Sequence, residues 1–127
     1  MAKTAIHLPG AKPVPVPLSP GIRKGNILQV AGQIPADPVT GEIVGSTVAE
    51  QTAQSLRNVL AVLEAGGATI DDVVMFRIYL TDTAHFAEMN AAYQEFLTDP
   101  YPARTTIYVG LPAGLLVEID ALAVLET

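Results

Sequence analysis

The chain has 127 residues, of which 50% are hydrophobic and 16% are charged, and its formal net charge is −6. This length corresponds to one domain, and an acidic chain without a cluster of basic residues is a poor match for nucleic-acid phosphates. The chain contains no cysteine, and its two histidines are distant in sequence. The sequence therefore predicts no disulfide, no thiol chemistry and no metal site.

Two further bulk properties concern the compartment and the surface. Residues 1–20 lack the continuous apolar core of a signal peptide, and no run of about 18 apolar residues occurs, so we expect a cytoplasmic protein that does not cross a membrane. The charged fraction lies below the ~25% usual for soluble domains. We therefore expect another subunit to cover part of the surface.

The N-terminal part is predicted to be irregular apart from one strand. Five prolines between residues 8 and 20 indicate an extended arm. Residues 27–32, "ILQVAG", are typical of a short strand. The segment that follows, "IPADPVTGEIVGST", carries the Pro and Gly signals of a loop.

The first predicted helix begins after Thr47. Thr47 and Glu50 have the spacing of a capping box, in which the hydroxyl and the carboxylate each accept a hydrogen bond from the other residue's backbone N–H. Gly66-Gly67 predicts the end of the helix. Its apolar face is predicted to comprise Ala49, Ala53, Leu56, Leu60 and Leu63.

The C-terminal half is predicted to hold a strand over residues 72–82, a helix over 83–97 and two final strands that form a hairpin around "LPAGL". In the first of these strands, one face is predicted to comprise Val74, Phe76, Ile78 and Leu80. The order strand, helix, strand, helix, strand, strand favours a single α+β domain. Right-handed crossovers would place both helices on one face of its sheet.

The other face of that sheet is predicted to be mixed in polarity. It is too apolar for open solvent and too polar for a dry core, so we interpret it as a subunit interface with a pocket, or alternatively as a partly wet surface. Its predicted members are Met75, Arg77, Tyr79, Arg104, Thr106, Tyr108, Glu118, Asp120, Leu122 and Val124.

Three charged residues in the last two strands are candidates for chemistry. The planar guanidinium of Arg104 can bind a carboxylate through two parallel hydrogen bonds, which would select small organic acids. Alternatively, Arg104 forms a salt bridge with Glu118 or Asp120 across the hairpin. A partly buried Glu118 can activate water near neutral pH, or it can serve, like Asp120, as an ion-pair partner only.

Two neutral residues complete the candidates. Asn90 falls on the apolar side of the second helix, where its amide either lines a pocket or forms a structural hydrogen bond to a loop. Gly32 in "AGQIP" permits close approach of the backbone to a ligand, or marks a bulge or strand end. No nucleotide-binding or Ser/His/acid motif is present in the sequence.

Several segments together resemble the Rid (YjgF) family from about residue 19 to the C-terminus. They are "GNILQVAGQIPADPVTGEIVG", "QTAQSLRNVLAVLEAGGATIDDVVMFRIYLTD", "FAEMNAAYQEF" and "PARTTIYVGLPAGLLVEIDALA". The resemblance implies a chorismate-mutase-like α+β fold and a homotrimer whose sheets form a central β-barrel, with a ligand cleft at each subunit interface. It also implies cofactor-independent hydrolysis of reactive enamines and imines, such as 2-aminoacrylate and 2-iminobutanoate, to 2-keto acids and ammonia.

The resemblance assigns roles to five positions. Arg104 in "PAR" matches the arginine that binds the substrate carboxylate, and Glu118 in "VEI" matches the acid that positions or activates water. Asn90 in "MNAAY", Gly32 and Thr106 match positions that line the pocket.

Three departures from the family pattern bear on substrate choice. Leu18 stands where a "PYSQ"-like segment supplies a tyrosine, Ala31 where serine is frequent, and Thr106 where many members have cysteine. These changes make one wall of the pocket less polar. They favour a bulkier or more apolar imino acid, or an aminomuconate-like compound, over 2-iminobutanoate.

Two other classes of function stay open from the sequence. One is a non-catalytic module that binds or senses a small carboxylate in the same cleft. The other is a ribonuclease or translation inhibitor, an activity attributed to some relatives, which the acidic net charge disfavours.

Overall fold

The computed structural model describes residues 2–126. Its strands form one mixed sheet in the order β1-β2-β3-β6-β4-β5, in which β4 and β5 are parallel and every other neighbouring pair is antiparallel. The elements are β1 (Thr4–Ile6), β2 (Gly21–Lys24), β3 (Ile27–Gln33), α1 (Val48–Ala65), β4 (Val73–Leu80), α2 (Phe86–Gln94), β5 (Ala103–Tyr108) and β6 (Val117–Val124), with 3-10 turns at Ile70–Asp72 and Thr83–His85. The predicted α+β class is confirmed.

The predicted C-terminal hairpin is wrong. β6 pairs with β3 on one side and with β4 on the other, whereas β5 lies at the edge of the sheet and pairs only with β4. The connection over residues 109–116 is longer than the two to five residues of a tight hairpin, so the chain can pass β4 before it re-enters the sheet. The nearly continuous burial of β6 is typical of a central strand.

The first helix begins as predicted, but its buried face differs. Thr47 and Glu50 form the capping box, and Gly66 caps the C-terminus. The buried positions are Val48, Gln51, Thr52, Ser55, Leu56, Asn58, Val59, Val62 and Leu63, so only two members of the predicted stripe are fully buried. The buried face is rotated and includes polar side chains. The Gln51 amide donates to the carbonyls of Gly45 and Gly114 and accepts from the Leu116 N–H, whereas the hydroxyls of Thr52 and Ser55 have no hydrogen-bond partner within the described chain.

A β-bulge changes the predicted face of β4. Val73 pairs with Ala123 and Met75 pairs with Leu122, so Val74 is an extra residue in the strand. Val73 is therefore buried and Val74 is 46% exposed, contrary to the prediction for Val74. Phe76, Ile78 and Leu80 are buried as predicted.

Both helices pack on the same face of the sheet, as predicted. The helical part of the second predicted helix is shorter than residues 83–97, since it starts with a 3-10 turn and ends at Gln94. The Tyr93 ring of α2 packs edge-on against Phe76 of β4, with ring centroids 5.6 Å apart. One core cluster joins this contact to the buried residues of α1, β3 and β6.

The predicted composition of the open face needs one correction. Arg104, Thr106 and Tyr108 lie beside Phe76, Ile78 and Leu80 in the parallel pair, so they project toward the helices. The register of β4 with β6 places the remaining predicted members on the open face: Met75, Arg77, Tyr79, Glu118, Asp120, Leu122 and Val124.

The N-terminal arm is partly ordered into strands that the sequence did not predict. β1 pairs with β2, and β2 pairs with β3, which adds two strands to one edge of the sheet. The proline-containing segment between β1 and β2 is irregular, in agreement with the prediction. None of the helices within residues 2–126 combines the length and the apolar composition needed to cross a membrane.

Candidate functional site

The candidate site residues fall into two groups, and the first surrounds Arg104. The Arg104 cluster consists of Arg104 on β5 and of Phe86, Asn90 and Tyr93 on α2. The guanidinium Nη1 donates to the Asn90 Oδ1 at 2.7 Å. Its central carbon lies 4.8 Å from the ring centroid of Tyr93 and 5.5 Å from that of Phe86. A hydrogen bond and two aromatic faces thus fix the orientation of the cation.

The Arg104 cluster borders a cleft of about 290 Å³, lined by Asn90, Tyr93, Gln94, Tyr101, Pro102 and Arg104. Burial raises the pKa of the Tyr93 hydroxyl, so its ring is neutral beneath the guanidinium at pH 7. Within residues 2–126, the one ion pair joins Arg77 to Asp120 and does not involve Arg104. The Arg104 guanidinium is therefore a fixed cation that no carboxylate of the described chain neutralises.

Thr106 lies two residues after Arg104 on the same side of β5. Its Oγ1 is buried and has no hydrogen-bond partner within the described chain. A buried hydroxyl of this kind retains its capacity to donate and to accept a hydrogen bond, although Thr106 is not among the residues that line the cleft.

The second group surrounds Glu118 on β6. The Glu118 carboxylate lies against Gly32 of β3 so closely that a Cβ atom at position 32 would overlap Oε2. Burial, and secondly the charge of Asp120, raises the pKa of Glu118 above its ordinary value. A carboxyl group of this kind exchanges protons nearer to neutral pH than an exposed glutamate does.

We call the cavity beside this carboxylate the Glu118 pocket. It has a volume of about 380 Å³. Its lining joins β3 and β6 to the N-terminal arm and comprises Leu8, Ala11, Lys12, Val14, Leu18, Pro20, Ala31, Gly32, Gln33, Ile34, Pro38 and Glu118. The structure therefore brings Leu18, Gly32 and Glu118 together.

The two groups cannot meet within one chain. Glu118 pairs with Tyr79 on the open face, whereas Arg104 pairs with Phe76 on the helix-covered face. β4 separates their strands, which places the strands ~10 Å apart in the sheet. Arg104, Asn90 and Thr106 thus form one group of candidate residues, and Leu18, Gly32 and Glu118 form another.

The proposed salt bridge between Arg104 and the acids of the last strand is wrong. The Arg77 Nε donates to the Asp120 Oδ1 at 2.8 Å, and the Tyr79 hydroxyl donates to its Oδ2 at the same distance. Asp120 is therefore an ion-pair partner whose two oxygens are occupied, which was the alternative that the sequence left open. Asp120 therefore lies near Glu118 without belonging to the candidate site.

Sequence reasoning missed the aromatic floor under Arg104. Phe86, Asn90 and Tyr93 share one side of α2, and their spacing was interpreted as a core stripe with one polar residue. Phe86 is 39% exposed, which is unusual for a core residue. The sequence signal that could have revealed this contact is an amide, Asn90, between two aromatic residues on one side of a helix, since such a surface can hold a cation.

Within residues 2–126, no group of three or more His, Cys, Asp or Glu side chains is placed to bind a metal.

Known proteins resemble the chain over nearly its whole length. The family model described as Endoribonuclease L-PSP matches residues 10–125. A RutC family protein of Pyrococcus horikoshii is 46% identical over 116 residues, which cover 90% of this chain and 92% of the relative. The 2-iminobutanoate/2-iminopropanoate deaminase of Escherichia coli K12 is 41% identical over 112 residues, which cover 85% and 87%.

A solved structure agrees with this relationship. The crystal structure of Escherichia coli TdcF with bound serine superposes with a TM-score of 0.88 at 33% sequence identity, covering 97% of this chain and 99% of TdcF. Sequence and fold lead to the same assignment, which confirms the predicted resemblance. The chain is a member of the Rid (YjgF) family, whose model carries the description Endoribonuclease L-PSP.

Proposed function

We propose that this protein hydrolyses reactive imino acids, and their enamine tautomers, to 2-keto acids and ammonia. The observation that carries the proposal is the Arg104 guanidinium, which is held on two aromatic rings beside an open cleft without a carboxylate partner among the described residues. Such a cation is suited to bind the carboxylate of a small acid. The relative named as an imine deaminase supports the choice of reaction.

In this mechanism Arg104 binds the substrate carboxylate and holds the imine carbon in a fixed position. A charge-assisted hydrogen bond of this type contributes ~1.5–3 kcal/mol. Asn90 keeps the guanidinium in its orientation, since its Oδ1 accepts one of the N–H groups. We assign to the Thr106 hydroxyl a hydrogen bond with a second polar atom of the substrate, since its Oγ1 has no partner within the described chain.

Glu118 acts as the general base and then as the general acid. It takes a proton from a water whose oxygen forms a bond to the imine carbon. It returns that proton to the nitrogen, which gives a carbinolamine. Glu118 then takes the proton of the carbinolamine hydroxyl and delivers it to the nitrogen, so that the C=O bond forms as the C–N bond breaks and ammonia and the keto acid are released. Acid–base catalysis of this kind contributes ~10²–10⁴ in rate. The raised pKa of Glu118 suits both steps, and no cofactor takes part.

The proposal requires Arg104 and Glu118 to come from neighbouring subunits. The edge strand β5 and the open face with Met75, Leu122 and Val124 supply the exposed surfaces that a second copy can cover. A closed ring of identical chains would pair one chain's Arg104 cluster with the next chain's Glu118 pocket. We therefore propose the homotrimer with a central barrel that the family resemblance implies, and a cytoplasmic location for it.

The function is tested by generating 2-iminobutanoate with threonine dehydratase and following the disappearance of the imine. We expect the wild-type chain to accelerate its hydrolysis and Arg104→Ala to lose about 10²-fold or more in kcat/KM, because the carboxylate loses its cation. Arg104→Lys keeps the charge but loses the planar fork and should fall between the two.

Arg57→Ala is the matched control, since Arg57 is exposed on α1 and bonds only to Gln54 among the described residues. It should retain full activity. Full activity of Arg104→Ala would contradict the assignment of the carboxylate site.

A binding module without catalysis is the second candidate function. The serine bound in the related TdcF supports it, because serine presents a carboxylate that the Arg104 cluster could hold in the same way. Saturable binding of 2-ketobutanoate without acceleration of imine hydrolysis would favour it. A ribonuclease function is suggested by the family description, and the net charge of −6 opposes it.

A further inference from the structure

We propose that the Glu118 pocket receives the side chain of the substrate, and that the preferred substrates are imino acids with bulky, uncharged apolar side chains. This inference rests on the proposed function, because it takes Glu118 as the group that meets the imine carbon. A substrate whose carbon lies at Glu118 must place its remaining substituent in the cavity that surrounds that carboxylate.

The pocket is large enough for such a substituent. Its volume of about 380 Å³ lies within the ~300–1,000 Å³ range of small-molecule sites, whereas a methyl or ethyl group alone would leave most of it empty. An unfilled apolar cavity contributes nothing to the discrimination between substrates. A branched or aromatic side chain would displace water from its walls and gain the free energy of apolar burial.

The walls of the pocket are apolar. Most of its lining side chains are hydrocarbon: Leu8, Ala11, Val14, Leu18, Pro20, Ala31, Ile34 and Pro38. Leu18 is 53% exposed and Val14 is 44% exposed, so both offer hydrocarbon surface that an apolar substituent can cover. Ala31 adds no hydroxyl beside Gly32.

Lys12 is the single cation in the described lining of the pocket. Its Nζ lies 3.6 Å from the Cβ position of Gly41, in the turn before α1. It forms no ion pair with Glu118 within residues 2–126. Apart from Lys12 and the Gln33 amide, the lining consists of hydrocarbon and the Glu118 carboxylate, and that carboxylate disfavours a second one on the substrate.

The arm that supplies Leu18 is fixed by backbone hydrogen bonds. The Lys12 N–H donates to the Pro38 carbonyl at 2.8 Å, and the Ala31 N–H donates to the Pro20 carbonyl at 2.9 Å. The Leu18 N–H closes a tight turn by donating to the Val16 carbonyl at 2.8 Å. Because these contacts use no side-chain atoms, substitutions on the arm change the wall without moving it.

The test compares three imines generated in place by amino-acid oxidases from alanine, leucine and glutamate, with catalase present and semicarbazide as a trap for unhydrolysed imine. We expect kcat/KM for the leucine-derived imine to exceed that for the alanine-derived imine by about tenfold or more, since each buried methylene adds discrimination. The glutamate-derived imine should be the poorest substrate.

Two variants connect this preference to the pocket wall. Leu18→Asn replaces hydrocarbon by an amide of similar volume and should bring the leucine-to-alanine ratio toward one. Val16→Thr is the matched control, because Val16 is 52% exposed on the same arm and lies outside the pocket. It should leave the ratio unchanged, and circular dichroism will verify that both variants fold.

The outcomes separate this inference from the proposed function. Equal turnover of the alanine- and leucine-derived imines, a preference for the glutamate-derived imine, or a ratio unaffected by Leu18→Asn would overturn the inference while imine hydrolysis stands. If the wild type hydrolyses none of the three, the proposed function fails. Calorimetry with pyruvate and 4-methyl-2-oxopentanoate then decides: tighter binding of the longer keto acid, lost in Leu18→Asn, supports the apolar pocket, and equal binding excludes it.

Discussion

The charged groups of the Arg104 cluster and of the Glu118 pocket lie in opposite kinds of environment. The Arg104 cation is held by an amide and two rings, in contacts that fix it without cancelling its charge. The Glu118 anion has no hydrogen-bond donor within the described chain, and its environment raises its pKa. In the proposed function, the first region binds a fixed negative charge, and the second gains and loses a proton.

The comparison also explains why both regions are unusual for a chain considered alone. A half-buried carboxylate without a partner and a cation without a counter-ion each cost stability. In the proposed assembly one chain's cation faces the next chain's carboxylate, with the substrate between them. The two opposite charges then offset part of each other's cost, and the cation can also pair with the carboxylate of a bound acid.

The largest expected effect comes from two variants, each of which removes the charged side chain of one region. Arg104→Ala and Glu118→Gln should each reduce imine hydrolysis to near background. Co-refolding the two variants at equal concentration should restore activity at about a quarter of the sites, since each site draws one residue from each of two neighbours in a closed ring. The same imine assay measures the recovery.

Mixing either variant with itself is the control for this experiment and should restore nothing. Failure of the mixed sample to recover activity, although it has the same assembly size as the wild type, would place both residues in one chain's site or remove one of them from the mechanism.

An intermediate effect is expected from Gly32→Ala. Its methyl group would displace the Glu118 carboxylate, so we expect the loss in kcat/KM to approach that of Glu118→Gln. Gly32 does not have a positive φ, and the obstructing atom is the end of a flexible side chain. The free energy of unfolding should therefore change by no more than ~0.5 kcal/mol.

Gly110→Ala is the control for Gly32→Ala, because no atom lies within 4 Å of the Cβ position of Gly110. It should leave activity and unfolding as in the wild type. Unchanged kcat/KM in Gly32→Ala would mean that the position of the Glu118 carboxylate does not matter for the reaction.

The smallest effect is a displaced pH profile in Asp120→Asn. Glu118 works as a base when it is deprotonated, so kcat/KM should rise with pH through the pKa of Glu118, which lies above the ordinary value. The negative charge of Asp120 is one cause of the raised pKa of Glu118. Its removal should lower that pKa, so the acid limb of the profile should move to lower pH. Burial is the larger cause of the raised pKa and persists in the variant. The acid limb should therefore stay at higher pH than the limb of an exposed glutamate.

Asp71→Asn tests whether this displacement is specific, since it removes an exposed acid that does not perturb Glu118. Its profile should match that of the wild type. A limb that stays in place in Asp120→Asn, or moves to higher pH, would contradict the assignment of the limb to Glu118.

Local signals in the sequence were sufficient for most elements, whereas the roles of the site residues stay predictions. The capping box at Thr47 and the glycine end at Gly66 depend on contacts between near neighbours, and both are confirmed. Short strands in the arm were not predicted because β1 has only three residues and is stabilised mainly by its partner. The bulge at Val74 was also missed, since one extra residue alters pairing without altering composition.

What the sequence determined by itself was the family, the order of its helices and main strands, and the residues proposed to bind an acid or move a proton. These follow from residue type and from contacts within a few positions. Only the tertiary structure decided that β6 enters between β3 and β4, which places Arg104 and Glu118 on opposite faces although 14 positions separate them. The physical reason is that strand order and register depend on burial across the whole sheet, and a shift of one residue exchanges its two faces.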